Sequence, residues 1–237
     1  MPRTEDAPAL PVPVRPAWVL RRLVAVAAGV VAVSLTVEVL YHGAGVAVPD
    51  WVLNALTLDQ ERNVPTFFAT GLLLAASALL LLVAGVVRRR GGRDAGYWSV
   101  LSAGFLFLAL DEFVGFHERL SYALRTALGT EGWLHYAWVI PGLAVALGVA
   151  AAFVPFLRRL EPWLRGRVLV AGALYLGGAL GLEVVGGAWA SAVSDFDLVY
   201  ALLTTVEETL ELAGVVAFIY ALLLYLERRA AEPAGLR

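Results

Sequence analysis

The sequence predicts an all-α membrane protein, a polytopic bundle of six transmembrane helices, and three observations carry that expectation. Of the 237 residues, 60% are hydrophobic and the mean hydropathy is +0.76, far above the roughly 45–50% apolar share of a soluble domain. Six windows reach the about 20 apolar residues needed to cross a hydrocarbon core of about 30 Å. Finally, all 18 basic residues are arginine, and 15 of them lie before or at the very start of the first window or follow the second, fourth and sixth. Only Arg62, Arg119 and Arg125 occupy the other connections. Such a bias predicts that both termini are cytoplasmic.

Taken in order, proline-rich residues 1–18 read as a disordered tail. The first span is placed at 19–41. Its apolar run is longer than the core of a secretory leader and carries Glu38 near its end, so it reads as a retained helix. The second span, 65–87, opens on Pro65, suited to a first helical turn, and ends on Arg88, Arg89 and Arg90. The third and fourth are placed at 97–117 and 134–157. The fifth, 168–190, contains Gly177, Gly178 and Gly181, which permit close helix approach. The sixth, 201–226, leads to a short tail from 229 to 237. Connections are too short for a separate soluble domain, so residues 19–228 form one membrane domain. Tryptophans such as Trp51, Trp133, Trp138, Trp163 and Trp189 fall near span ends, where interfacial anchoring accounts for them. With no cysteine, disulfides and thiolate metal sites are excluded.

Glu38, Asp111, Glu112, Glu183, Glu207, Glu208 and Glu211 lie within these apolar runs. Each ionised carboxylate near the bilayer centre costs roughly 2.5–3.5 kcal/mol on insertion scales, so this set requires partners, protons, cations or water. Glu38, Asp111 and Glu183 stand 14–15 residues into outward-running spans, about 21–23 Å up at 1.5 Å per residue. The acids of the sixth span begin six residues below its start and reach a similar level. Four helices therefore deliver carboxylates to one depth.

Helical phase groups them further. Glu38 and His42 share a face at i, i+4; Asp111 and Glu118 share one at i, i+7. Thr204, Glu207, Glu208 and Glu211 fall within an arc of about 100°. Glu112 and His117 join Asp111 only if the helix bends, and Gly115 is the place for a bend. Before the second span, Asp59, Glu61 and Asn63 alternate with other residues. This pattern suits either a cation loop or a helix cap; an EF-hand's glycine and late glutamate are absent. A short internal echo aligns Leu35-x-x-Glu38-Val with Leu180-x-x-Glu183-Val.

The motifs Asp59-x-Glu61-x-Asn63-Val-Pro-Thr, Leu110-Asp-Glu-x4-His-Glu118 and Val206-Glu-Glu-x2-Glu211-Leu-Ala-Gly resemble those of a widespread, uncharacterised bacterial family of small multi-pass membrane proteins. The resemblance covers most of the chain and implies marked positions in a bacterial inner membrane protein, but no activity.

Three functions fit the residues. The first is a divalent metal site (Mn, Fe, Zn or Ca) drawn from Glu38, His42, Asp111, Glu112, His117, Glu118, Glu183, Glu207, Glu208 and Glu211. His117 and His42 would be ligands or proton carriers, and metal-assisted chemistry would act on a membrane-delivered substrate. The second is cation- or proton-coupled transport through the same acids. A transporter needs an inward route past Gly214 and Phe218, whereas the inner halves of the spans look dry. The third is a structural or partner-dependent subunit, in a homo- or hetero-oligomer. The arginine runs read as topology anchors in a lipid bilayer and not as a nucleic-acid surface.

Overall fold

The computed structural model describes residues 15–193 and 197–231. Six helices are long and apolar enough to cross a membrane, making the chain a multi-pass membrane protein. Helix α1 (Pro16–Glu38) begins on a proline, whose missing N–H costs nothing there, and continues as a π-helical turn, Val39–Gly43. A short helix α2 (Asp50–Leu56) follows, with Trp51 71% exposed. Helix α3 (Val64–Arg89) is capped by Asn63, whose side-chain oxygen accepts the Thr66 N–H at 3.0 Å.

Helix α4 (Ala95–Val114) stops because Gly115 adopts φ 68°, a left-handed conformation that only glycine takes up freely. The chain restarts as α5 (Phe116–Leu128). The third span expected at 97–117 is thus shorter, and the last three of its residues lie at or beyond the break. A 3-10 turn (Gly132–Leu134) leads to α6 (Val139–Arg159), so the fourth span begins five residues later than its expected start at 134. The fifth is composite: α7 (Pro162–Leu176), a π turn (Gly177–Leu182) and α8 (Glu183–Ala192). Helix α9 (Leu198–Ala231) completes the bundle. Of the expected tails, 1–14 and 232–237 lie outside the described residues, while Pro16–Trp18 and Arg229–Ala231 are helical.

Packing centres on α9, which meets α1, α3 and α7. Gly214 allows that approach: a Cβ there would stand 2.7 Å from the Tyr175 nitrogen and 2.8 Å from the Ala171 carbonyl oxygen. Gly178 is confined in the same way by the Glu207 carbonyl oxygen at 2.7 Å. Helices α3 and α4 pack through Leu72, Ala76, Leu80, Val83 and Trp98, with the buried hydroxyls of Ser77 and Ser102 bonded across the seam at 3.0 Å. Ser34 of α1 is fully buried and accepts the Leu58 N–H at 2.9 Å, tying α1 to the loop before α3.

The clusters Arg88–Arg90, Arg158–Arg159 and Arg228–Arg229 terminate α3, α6 and α9 at one end of the bundle. Near that end Tyr97 and Phe156 stack at 5.0 Å, and Trp98 meets Phe156 edge-on at 4.9 Å. This aromatic group ties the lower end of α6 to α4. Toward its upper end α6 packs on the Gly177–Leu182 turn, with Gly142 set against Leu180. Along its middle, Val145, Ala146, Val149 and Ala150 face a cavity shared with α4 and α9.

Candidate carboxylate chamber

Beside α6 lies a partly open cavity of about 1020 Å³ bordered by α4, α6, α7–α8 and α9. At its arginine-poor end it is lined by Asp59, Glu61, Asp111, Glu112, His117, Glu118, Glu183, Glu207, Glu208 and Glu211. Further along, the lining becomes apolar, with Leu101, Phe105, Val145, Val149, Phe153 and Phe218 among its residues.

The bend at Gly115 assembles one wall. With the chain turned there, the Asp111 carboxylate accepts the backbone N–H of His117 at 3.0 Å and lies 3.0 Å from its Nδ1. Burial opposes charge on this imidazole, but the Asp111 hydrogen bond and charge outweigh it and raise His117 to about 9. The bend thus brings in Glu112 and His117. It also ends the i, i+7 relation expected between Asp111 and Glu118. Glu118 is instead drawn to Gly115, whose Cβ position is 3.1 Å from Glu118 Oε2 and 3.7 Å from the Glu61 carboxyl carbon.

The loop before α3 divides its motif between two tasks. Asp59 and Glu61 face the chamber, whereas Asn63 serves as the cap already described and also donates to the Thr57 carbonyl at 2.6 Å. Burial, together with the Glu118 charge, raises Glu61 to about 7. Burial likewise raises Asp59 to about 6, opposed by a hydrogen bond from Tyr200. Glu61 Oε2 is buried with no hydrogen-bond partner among the described residues, an uncommon state for a carboxylate oxygen.

The opposite wall comes from α8 and α9. Glu183 accepts the indole N–H of Trp138 at 2.8 Å and lies within hydrogen-bonding reach of the Glu207 carboxyl. Tyr175 lies beside Glu211 in the same lining. Tyr136 and Tyr200 join hydroxyl to hydroxyl at 2.7 Å, and Tyr200 donates to Asp59 at 3.1 Å. The three tyrosines and Trp138 escaped the sequence reading. Tyr136, Tyr200 and Trp138 sit at span ends, where aromatic residues are expected as interfacial anchors, and only Tyr175, alone in mid-span, offered a signal.

Two expected members are elsewhere. Glu38 and His42 do pair at 3.3 Å, as their i, i+4 spacing predicts, but neither lines the chamber. Glu38 precedes its π turn and is buried on α1, which packs on α9 from another side. Arg125, and not Arg119, is the arginine at the chamber, 3.0 Å from His135.

A family described as Domain of unknown function (DUF8692) matches residues 22–226. The chain belongs to that family. No curated protein and no solved structure matches it. The match spans all six helices and every chamber-lining acid, so the chamber lies within the family's domain. Chemically, its carboxylates surround a space and not a point: among the described residues no three Asp, Glu or His side chains are grouped to hold one metal ion. An ion there would bind by drawing side chains inward.

Proposed function

We propose that the chain is a bacterial inner membrane protein with both termini cytoplasmic, whose outward-facing acidic chamber binds a divalent cation and receives a substrate delivered by the bilayer. The carrying observation is the charge imbalance around one cavity. Nine carboxyl side chains converge there, and among the lining residues only His117, His135 and Arg125 can oppose them. Protons take up part of the excess, as the raised Asp59 and Glu61 indicate. A divalent ion would offset more, and the unpartnered Glu61 oxygen supports an electropositive guest. Carboxylates with one imidazole suit Mn, Fe or Zn; oxygen ligands alone suit Ca. A bound ion of the first kind would activate water for attack on the substrate.

The arginine distribution supports the orientation. The test is metal content, measured by mass spectrometry on detergent-purified protein beside a Glu118→Ala/Glu211→Ala variant. Near-stoichiometric Mn, Fe, Zn or Ca, lost in a variant that still melts cooperatively, is the expected result. Metal-free protein after add-back would overturn the ion.

Proton-coupled transport is a second reading, favoured by the Glu183–Glu207 carboxyl pair. Against it stands the apolar inward route, whose walls include Phe153 and the rings of Phe105 and Phe218 stacked at 4.9 Å.

A further inference from the structure

We propose that the apolar half of the chamber holds the hydrocarbon chain of a single-chain amphiphile, whose hydrogen-bond-donating head lies among the carboxylates. This deepens the reading of a bilayer-delivered substrate and rests on it, but does not depend on which cation is bound.

The dimensions favour one lipid chain. From Leu108 to Val100 the apolar lining runs about 12 Å along α4, and from Val145 to Phe156 about 16 Å along α6, at 1.5 Å per residue. One leaflet of hydrocarbon is about 15 Å deep. The volume of about 1020 Å³ stands at the upper end of small-molecule sites, roughly 300–1,000 Å³, and far exceeds the needs of an ion. Water does not suit the slot's apolar walls.

The bilayer is the nearest source of such a chain. Helix α6 forms one wall. Val145, lining the slot, is 65% exposed, and Leu147, off the slot, is 62% exposed. A chain leaving the bilayer can therefore reach the slot beside this helix. Phe153 and Phe156, which meet at the aromatic group with Tyr97, line the slot toward its arginine-rich end, where Leu157 and Val168 also border it.

Head chemistry follows from the other half. Carboxylates such as Glu208 and Glu211 accept hydrogen bonds from hydroxyls or amines and repel a phosphate. The occupant is accordingly a hydroxyl- or amine-headed single-chain lipid.

The experiment uses full-length protein in phosphatidylcholine nanodiscs, treated with chelator, and a monoacylglycerol carrying a diazirine in its chain. Expected labelling concentrates on the Phe105–Leu108 and Val145–Ala150 segments. Ala146→Trp, which fills the slot, lowers it about tenfold, roughly 1.4 kcal/mol, while Leu147→Trp, facing away, leaves it unchanged; both variants melt like the parent. A chain-matched lysophosphatidate labels about tenfold less. Labelling spread over the lipid-facing helices and insensitive to Ala146→Trp would overturn the proposal. So would exclusion of the probe by a second polypeptide seated in the slot. Equal labelling by the phosphate head would overturn the assignment of the head. Metal measured in parallel separates the two readings: metal without slot labelling overturns this inference alone, and slot labelling without metal supports it while removing the ion.

Discussion

At the residue scale, His117 shows how the site's chemistry depends on one contact. Its pKa is raised from 6.5 to about 9 against the effect of burial, chiefly by Asp111. A raised group stabilises the fold fully below its unfolded value and loses that contribution as pH rises through its folded value. The window is therefore pH 6.5 to 9, and the span of about 2.5 pH units corresponds to about 3 kcal/mol at most. Asp59 and Glu61, raised to about 6 and about 7, have the same sign but act below pH 7.5. Thermal melts of chelated protein should thus lose stability between pH 7.5 and 9, and His117→Gln should flatten that slope. A slope unchanged in the variant would contradict the assignment. Asn63 offers a simpler case, since it caps α3 and holds the Thr57 carbonyl; Asn63→Ala should cost about 1–2 kcal/mol in a denaturant titration. Most of the chamber's acids were legible in the sequence because a carboxylate in an apolar run has few bland explanations. Tyr136 and Tyr200 were not, because an aromatic residue at a span end already has one.

At the element scale, the decisive joint is Gly115. Helical phase alone kept Glu112 and His117 apart from Asp111, and only a backbone break could unite them. Glycine marked where that break could fall, but its direction comes from φ 68° and was not readable. Gly115→Ala places a Cβ in a left-handed conformation, costing about 1–2 kcal/mol, and also 3.1 Å from Glu118 Oε2. It should lower the melting temperature and abolish the high-pH slope assigned to His117. If the slope survives, the bend is not what couples the two residues. Gly214→Leu should be more severe, because the atoms it meets are backbone at 2.7 and 2.8 Å; loss of cooperative melting in detergent is expected.

At the scale of the whole molecule, span number and apolar lengths were legible because the bilayer imposes them on every helix. The chamber's volume was not, since it depends on how α6 sits beside its neighbours, a property no single span encodes. The absence of cysteine makes orientation testable by single substitutions. In intact cells a membrane-impermeant maleimide should label cysteine at Thr126 in α5 and spare cysteine at Gly92 near the arginine cluster. The reverse pattern would invert the bundle and turn the chamber to the cytoplasm.

The two π turns carry a lesson about the internal echo. Leu35-x-x-Glu38 and Leu180-x-x-Glu183 match in letters, yet Glu38 comes before its wide turn and Glu183 after its own. A wide turn accommodates one extra residue, about 100° of helical phase. Glu183 lines the chamber, whereas Glu38 stands on α1, which contributes no residue to the lining. Removing a single residue such as Gly181 should rewind the fifth span into regular α-helix and swing Glu183 off Trp138 and Glu207. Three letters of sequence likeness thus conceal a different offset from the wide turn, and one deletion should undo it.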